Sequence, residues 1–140
     1  MTLESGITIL GRTLLALLFL FAGAIKVTSY DFFLGRMAGG GVPGFLLPAV
    51  IALELGGGLA LLLGWKLQYS AGALAIFCIA TAVIFHHDFA NAAERNVFFK
   101  DLALAGALMV IAVASVTKPC TALIRVFLED SKGHIPGGSR

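Results

Sequence analysis

The run Pro48 to Trp65, PAVIALELGGGLALLLGW, sets one carboxylate, Glu54, in the middle of an apolar segment long enough to cross a bilayer. No bulk water reaches such a position, so the acid must be neutral, paired with a cation, or open to a wet cavity among other segments. Glu54 therefore asks for partners. Two residues on, Gly56, Gly57 and Gly58 would weaken a helix in water. In hydrocarbon the backbone must still satisfy its own hydrogen bonds, and the missing side chains let a neighbouring helix come close. The stretch reads as one helix of a membrane bundle with a polar interior.

Composition supports that reading. Of 140 residues, 59% are hydrophobic and 13% charged, and the mean hydropathy is +0.95. A soluble chain this apolar would have to bury its helices on every side, and it is too short to do so. The net charge of +2 is dispersed, without a basic block, which argues against a nucleic-acid partner. Cys78 and Cys120 have no metal-ligand spacing and fall on the order of 15 Å apart in depth, too far to bridge. The first apolar segment lacks a basic n-region and a small-residue cleavage site, so it is read as a mature span.

Four spans follow from the apolar runs: residues 7–27, 45–64, 70–87 and 97–116. Tyr30, Phe32 and Phe33 suit an interfacial belt, with a short interfacial helix over residues 31–38. Trp65 to Tyr69 form a tight turn, and residues 92–96 a polar loop. The expected architecture is an all-α integral membrane four-helix bundle over residues 1–118, with an interfacial helix and a loose tail over 119–140. An even number of spans puts both termini on one side. Six cations then share that side (Arg12, Lys66, Lys118, Arg125, Lys132, Arg140) against four on the other (Lys26, Arg36, Arg95, Lys100), which places the termini in the cytoplasm.

Depth brings the ionisable residues together. Lys26, His86 and Asp101 all fall roughly 9 to 12 Å toward the outer face, with Lys100 one residue beyond and Glu54 near the midplane. Arg12 lies on the cytoplasmic side, within about 40° of Lys26 around the helix, and its long side chain is a second candidate counter-charge for Glu54. The plain reading is an ion-pair network fixing helix register: Glu54 with Arg12 or Lys26, and Asp101 with Lys100 or His86. The functional reading is a pocket. His and Lys supply hydrogen-bond donors, Phe-rich walls an apolar sleeve, and Glu54 or Asp101 a proton-exchanging group, which together suit a quinone-type ligand. His86 and His87 point about 100° apart on a helix and do not readily share a metal, so no metal site is assigned.

Several segments together resemble the DoxX family of small bacterial inner-membrane proteins. They are Arg12 with Leu17-Leu18-Phe19 and Gly23-Ala24-Ile25-Lys26; Gly41 to Pro48; Leu53-Glu54-Leu55-Gly56-Gly57-Gly58 with Gly64; Phe85-His86; and Phe99 to Gly106. The resemblance implies a four-helix membrane domain in the bacterial inner membrane and, by association, a subunit of thiosulfate or quinol oxidoreduction systems. One departure is Lys100-Asp101, where relatives commonly carry Lys-Asn. The carboxylate makes a pair with His86 or Lys26 more natural.

The resulting expectation is a multi-pass protein with an intramembrane polar pocket, acting as a quinone-linked redox or accessory subunit. Glu54 is the buried acid, Lys26 and His86 the ligand donors, Lys100 and Asp101 the rim, and Arg12 the counter-charge. No redox cofactor motif is present in the sequence, so turnover requires a redox partner protein. The alternatives are a small-solute or proton transporter and a non-catalytic assembly protein.

Overall fold

The computed structural model describes the backbone of residues 3–133 and the side chains of residues 3 and 6–116. Among the described residues, five α-helices follow one another: α1 (Leu3–Thr28), α2 (Tyr30–Gly39), α3 (Leu47–Leu63), α4 (Leu67–Phe85) and α5 (Ala92–Gly133). A 3₁₀ turn, Gly44–Leu46, leads into α3. No strand occurs among the described residues. Among the described residues, four stretches are long and apolar enough to cross a membrane: Gly6–Thr28, Gly44–Leu63, Leu67–Phe85 and Ala92–Val116. The protein is an all-α membrane four-helix bundle.

Helix boundaries follow from local chemistry. Pro48 sits in the first turn of α3, where its missing N–H costs no hydrogen bond. Gly64 ends α3 in the left-handed conformation (φ 74°), and the Trp65 N–H donates to the Ala60 carbonyl at 2.9 Å, closing the helix with a Schellman-type cap. Lys66 (φ 44°) continues the turn, so α3 and α4 are joined by three residues.

The short helix expected at 31–38 is present as α2. Span three ends at Phe85, so His86 and His87 lie in the connector and not on the helix. The polar loop expected at 92–96 is helical, and the connector is residues 86–91 instead. Asn91 explains the shift, because its Oδ1 accepts the Ala93 N–H at 2.9 Å and so caps the first turn of α5. Backbone helix continues without a break to Gly133. The side chains of the amphipathic stretch after Pro119, and residues 134–140 expected to be loose, lie outside the described residues.

Packing runs α1 on α3, α3 on α4 and α4 on α5, with α2 lying against α1 and α3. A core of small and branched residues, including Ala16, Phe19, Leu61, Leu74, Ala75 and Leu108, joins all four spans. Outward positions stay apolar, as Phe21, Leu63, Ile76 and Val110 illustrate, which is the pattern of a bundle whose solvent is lipid. Among the described residues Glu54 is the one charged side chain that is buried.

Candidate functional site

The site begins with a close helix crossing. A Cβ on Gly58 would stand 3.2 Å from the Ala16 carbonyl oxygen, and one on Gly23 would stand 2.7 Å from the Leu55 side chain. Both glycines thus let α1 and α3 approach more closely than larger residues would. Gly57 receives the Leu74 side chain of α4, whereas Gly56 faces open space. Of the three consecutive glycines, two serve packing.

That crossing brings the last turn of α1 against the middle of α3. Lys26 Nζ donates to Glu54 Oε1 at 2.7 Å, and the side chains are only 17% and 3% exposed. The ammonium also lies over the Phe33 ring of α2, 5.1 Å from its centroid. Glu54 Oε2 is buried and has no hydrogen-bond partner among the described residues. The pair therefore leaves one acceptor oxygen unmet.

Lys26 and Glu54 form part of the wall of a cavity of about 440 Å³. All five helices contribute: Phe19 and Lys26 from α1, Phe33 and Arg36 from α2, Glu54 from α3, Cys78 and Thr81 from α4, Asp101 from α5. His86, in the connector after α4, completes the polar lining, and the remainder is mostly apolar. The cavity lies in the half of the bundle that holds α2 and the α4–α5 connector. Its volume falls within the range of about 300–1,000 Å³ common for small-molecule sites.

Four of the six residues singled out in the sequence, Lys26, Glu54, His86 and Asp101, line this cavity. Their pairings differ in part from expectation. Glu54 takes Lys26 and not Arg12, because Arg12 lies ten residues along α3 from the acid, beside Gly64, on the order of 15 Å away along the axis. A Cβ on Gly64 would be 3.1 Å from Arg12 Nη1. His86 pairs with Glu94 and not with Asp101: its Nδ1 lies 2.5 Å from Glu94 Oε2, while His87 Nδ1 lies 3.2 Å from the Ile84 carbonyl oxygen. Asp101 is reached by the Thr81 hydroxyl at 3.4 Å. Lys100 is exposed and does not line the cavity, since one step along α5 turns it about 100° from Asp101.

Sequence reading missed Glu94, Thr81 and Arg36. Glu94 fell inside the supposed polar loop, and the capping signal that could have moved it onto α5 is Asn91 followed by Ala92-Ala93-Glu94. Thr81 is a single hydroxyl in an apolar span, and it also contacts its own helix carbonyls at Phe77 and Cys78. Such a residue carries no signal of its own.

Chemically, the wall carries a buried lysine–glutamate pair and, at Asp101, a second carboxylate, in an otherwise mostly apolar lining.

The family model for DoxX matches residues 7–87, which include Lys26, Glu54 and His86. The inner membrane protein YqjF of Escherichia coli (strain K12) is 40% identical over 111 residues, covering 79% of this chain and 85% of that protein. No solved structure matches. With more than half its length matched by the family model and a relative this similar over most of both chains, the protein belongs to the DoxX family.

Proposed function

We propose that this chain is a multi-pass inner-membrane protein that binds a quinone-type ligand in the intramembrane cavity and serves as a quinone-linked redox or accessory subunit. The supporting observation is the Lys26–Glu54 pair, buried at the wall of a mostly apolar cavity to which His86 and Asp101 also contribute. A benzoquinone or naphthoquinone head needs hydrogen-bond donors for its oxygens, and Lys26 and His86 supply them. Phe19, Phe33 and Phe77 offer flat apolar contact to the ring. Electrons would pass to or from a redox partner protein. YqjF carries the description of an inner membrane protein, which supports the same location here.

The bias of six cations to four supports cytoplasmic termini, with the cavity in the outer half of the bilayer. Alkaline phosphatase fused after Gly41 should be active and the same enzyme fused at the C-terminus inactive; the reverse pattern would invert the orientation.

Titration of the purified protein with short-chain ubiquinone and menaquinone analogues tests the binding reading. Saturable binding is expected, weakened about tenfold or more in His86→Ala. Flat titrations of the wild-type protein would end it.

A further inference from the structure

At the end of the bundle away from the cavity, two cations meet at one corner with no carboxylate to share. We propose that Arg12 and Lys66 bind the phosphate of an anionic phospholipid, whose acyl chains lie along the exposed apolar surface beside them. The site is separate from the cavity and does not depend on what the cavity holds.

Arg12 leaves α1 six residues inside the first membrane span, which starts at Gly6. Its guanidinium nevertheless ends at the tip of α3. A Cβ on Gly64 would stand 3.1 Å from Nη1 and 3.4 Å from both Cζ and Nη2, so the flat group rests on the glycine that closes that helix. The apolar stretch of α3 stops at Leu63, which puts the guanidinium where hydrocarbon gives way to headgroups. A cation that only snorkels swings out toward water. Arg12 is packed instead: the residue is half-buried and its Nε is shut off from its surroundings.

The guanidinium lacks an acceptor. Nη1 and Nη2 stay accessible where Nε does not, and none of the three nitrogens has a partner among the described residues. Lys66, two residues past Gly64, is exposed at the same corner, with its Nζ 5.7 Å from the centroid of the Trp65 ring and no ion pair among the described residues. The acids with described side chains are Asp31, Glu54, Asp88, Glu94 and Asp101, and none lies nearer this end than Glu54, ten residues away along α3. Two uncompensated cations, one of them a planar fork matched to paired phosphate oxygens, select a phosphodiester. A headgroup that also carries an ammonium is disfavoured beside two like charges. Leu59 and Leu63, one turn apart on α3, are exposed next to the corner, as are Trp65 and Tyr69. That surface suits acyl chains and an interfacial ring, and a free phosphate would make no use of it.

Trp65 is the single tryptophan of the chain, so its fluorescence reports on this corner alone. The full chain is reconstituted in phosphatidylcholine vesicles and titrated with phosphatidylglycerol or with phosphatidylcholine, both brominated at the same acyl carbons. Half-maximal quenching should need at least about fivefold less of the brominated phosphatidylglycerol, the gain that one basic group near an anionic headgroup brings. A smaller ratio overturns the inference. Glycerol phosphate added to the buffer should leave the quenching unchanged, and displacement by it would assign the corner to a soluble phosphate and overturn the lipid.

Arg12→Lys keeps the charge and separates a built site from diffuse attraction. Its single ammonium cannot grip two oxygens at once, so the ratio should fall by about half or more. An unchanged ratio in the folded variant overturns the assignment to the guanidinium. Should Arg12 variants not fold, Lys66→Gln changes an exposed residue and should lower the ratio at least about twofold; a ratio kept intact there overturns the two-cation site.

Discussion

Lys26 and Glu54, separated by 28 residues in sequence, meet through a 2.7 Å hydrogen bond between the last turn of α1 and the middle of α3. The contact exists because glycines at positions 23 and 58 let the two helices cross closely. Packing thus sets the electrostatics. The same pair forms part of the cavity wall.

Removing one partner of this pair should cost much more than removing both. Lys26→Met leaves the carboxylate buried without its cation, a loss of about 3–5 kcal/mol for pairs of this kind, whereas Lys26→Met with Glu54→Leu should recover most of it. Thermal unfolding in detergent micelles measures both. Equal melting temperatures for wild type and Lys26→Met would mean that the pair does not hold α1 on α3.

The three glycines of α3 should respond differently to alanine. Gly58→Ala places a Cβ 3.2 Å from backbone atoms of α1, and because backbone gives way poorly, a loss of about 1–3 kcal/mol is expected. Gly56→Ala meets nothing within 4 Å and should be neutral or stabilising, by up to about 1 kcal/mol, through helix propensity. Melting temperatures of the two variants in the same detergent give the comparison, and similar losses in both would contradict the crossing described above.

At the other end of α3, Gly64→Ala meets two obstacles. The residue has a φ of 74° and a Cβ there would crowd the Arg12 guanidinium at 3.1 Å. A loss of about 1–2 kcal/mol is expected from the backbone conformation alone. Gly64→Asn, which tolerates the left-handed region better, should lose less by the same melting assay.

The His86–Glu94 contact ties the end of α4 to the first turn of α5. Glu94 is about one-third exposed (32%), so Glu94→Ala should lower global stability by less than about 1 kcal/mol. Its effect should be local. Amide exchange in residues 86–91 should quicken while α4 and α5 stay protected, and unchanged exchange there would show the contact to be dispensable.

Much of the bundle was legible in the chain. The four spans could be read from apolar runs, because a bilayer admits only helices of about 20 residues or closed barrels. The short helix over residues 31–38 was read correctly, and so was the role of glycine in bringing a helix close, though for Gly57 and Gly58 and not for Gly56. Depth along each span also predicted that Lys26, Glu54, His86 and Asp101 would share a layer, and all four line one cavity.

Side-chain partners were not legible in the same way. Rise per residue fixes how deep a group sits, but the choice of Lys26 over Arg12 for Glu54 depends on where α1 crosses α3. The choice of Glu94 over Asp101 for His86 depends on a connector whose helix boundary is set by one capping residue, Asn91. The sequence by itself determined that this chain crosses the membrane four times and carries ionisable groups at one level, because hydrophobicity and helical rise are local properties. Only the tertiary structure decided which of those groups touch, since contact depends on rotations and crossings that residues far apart in the chain impose on one another.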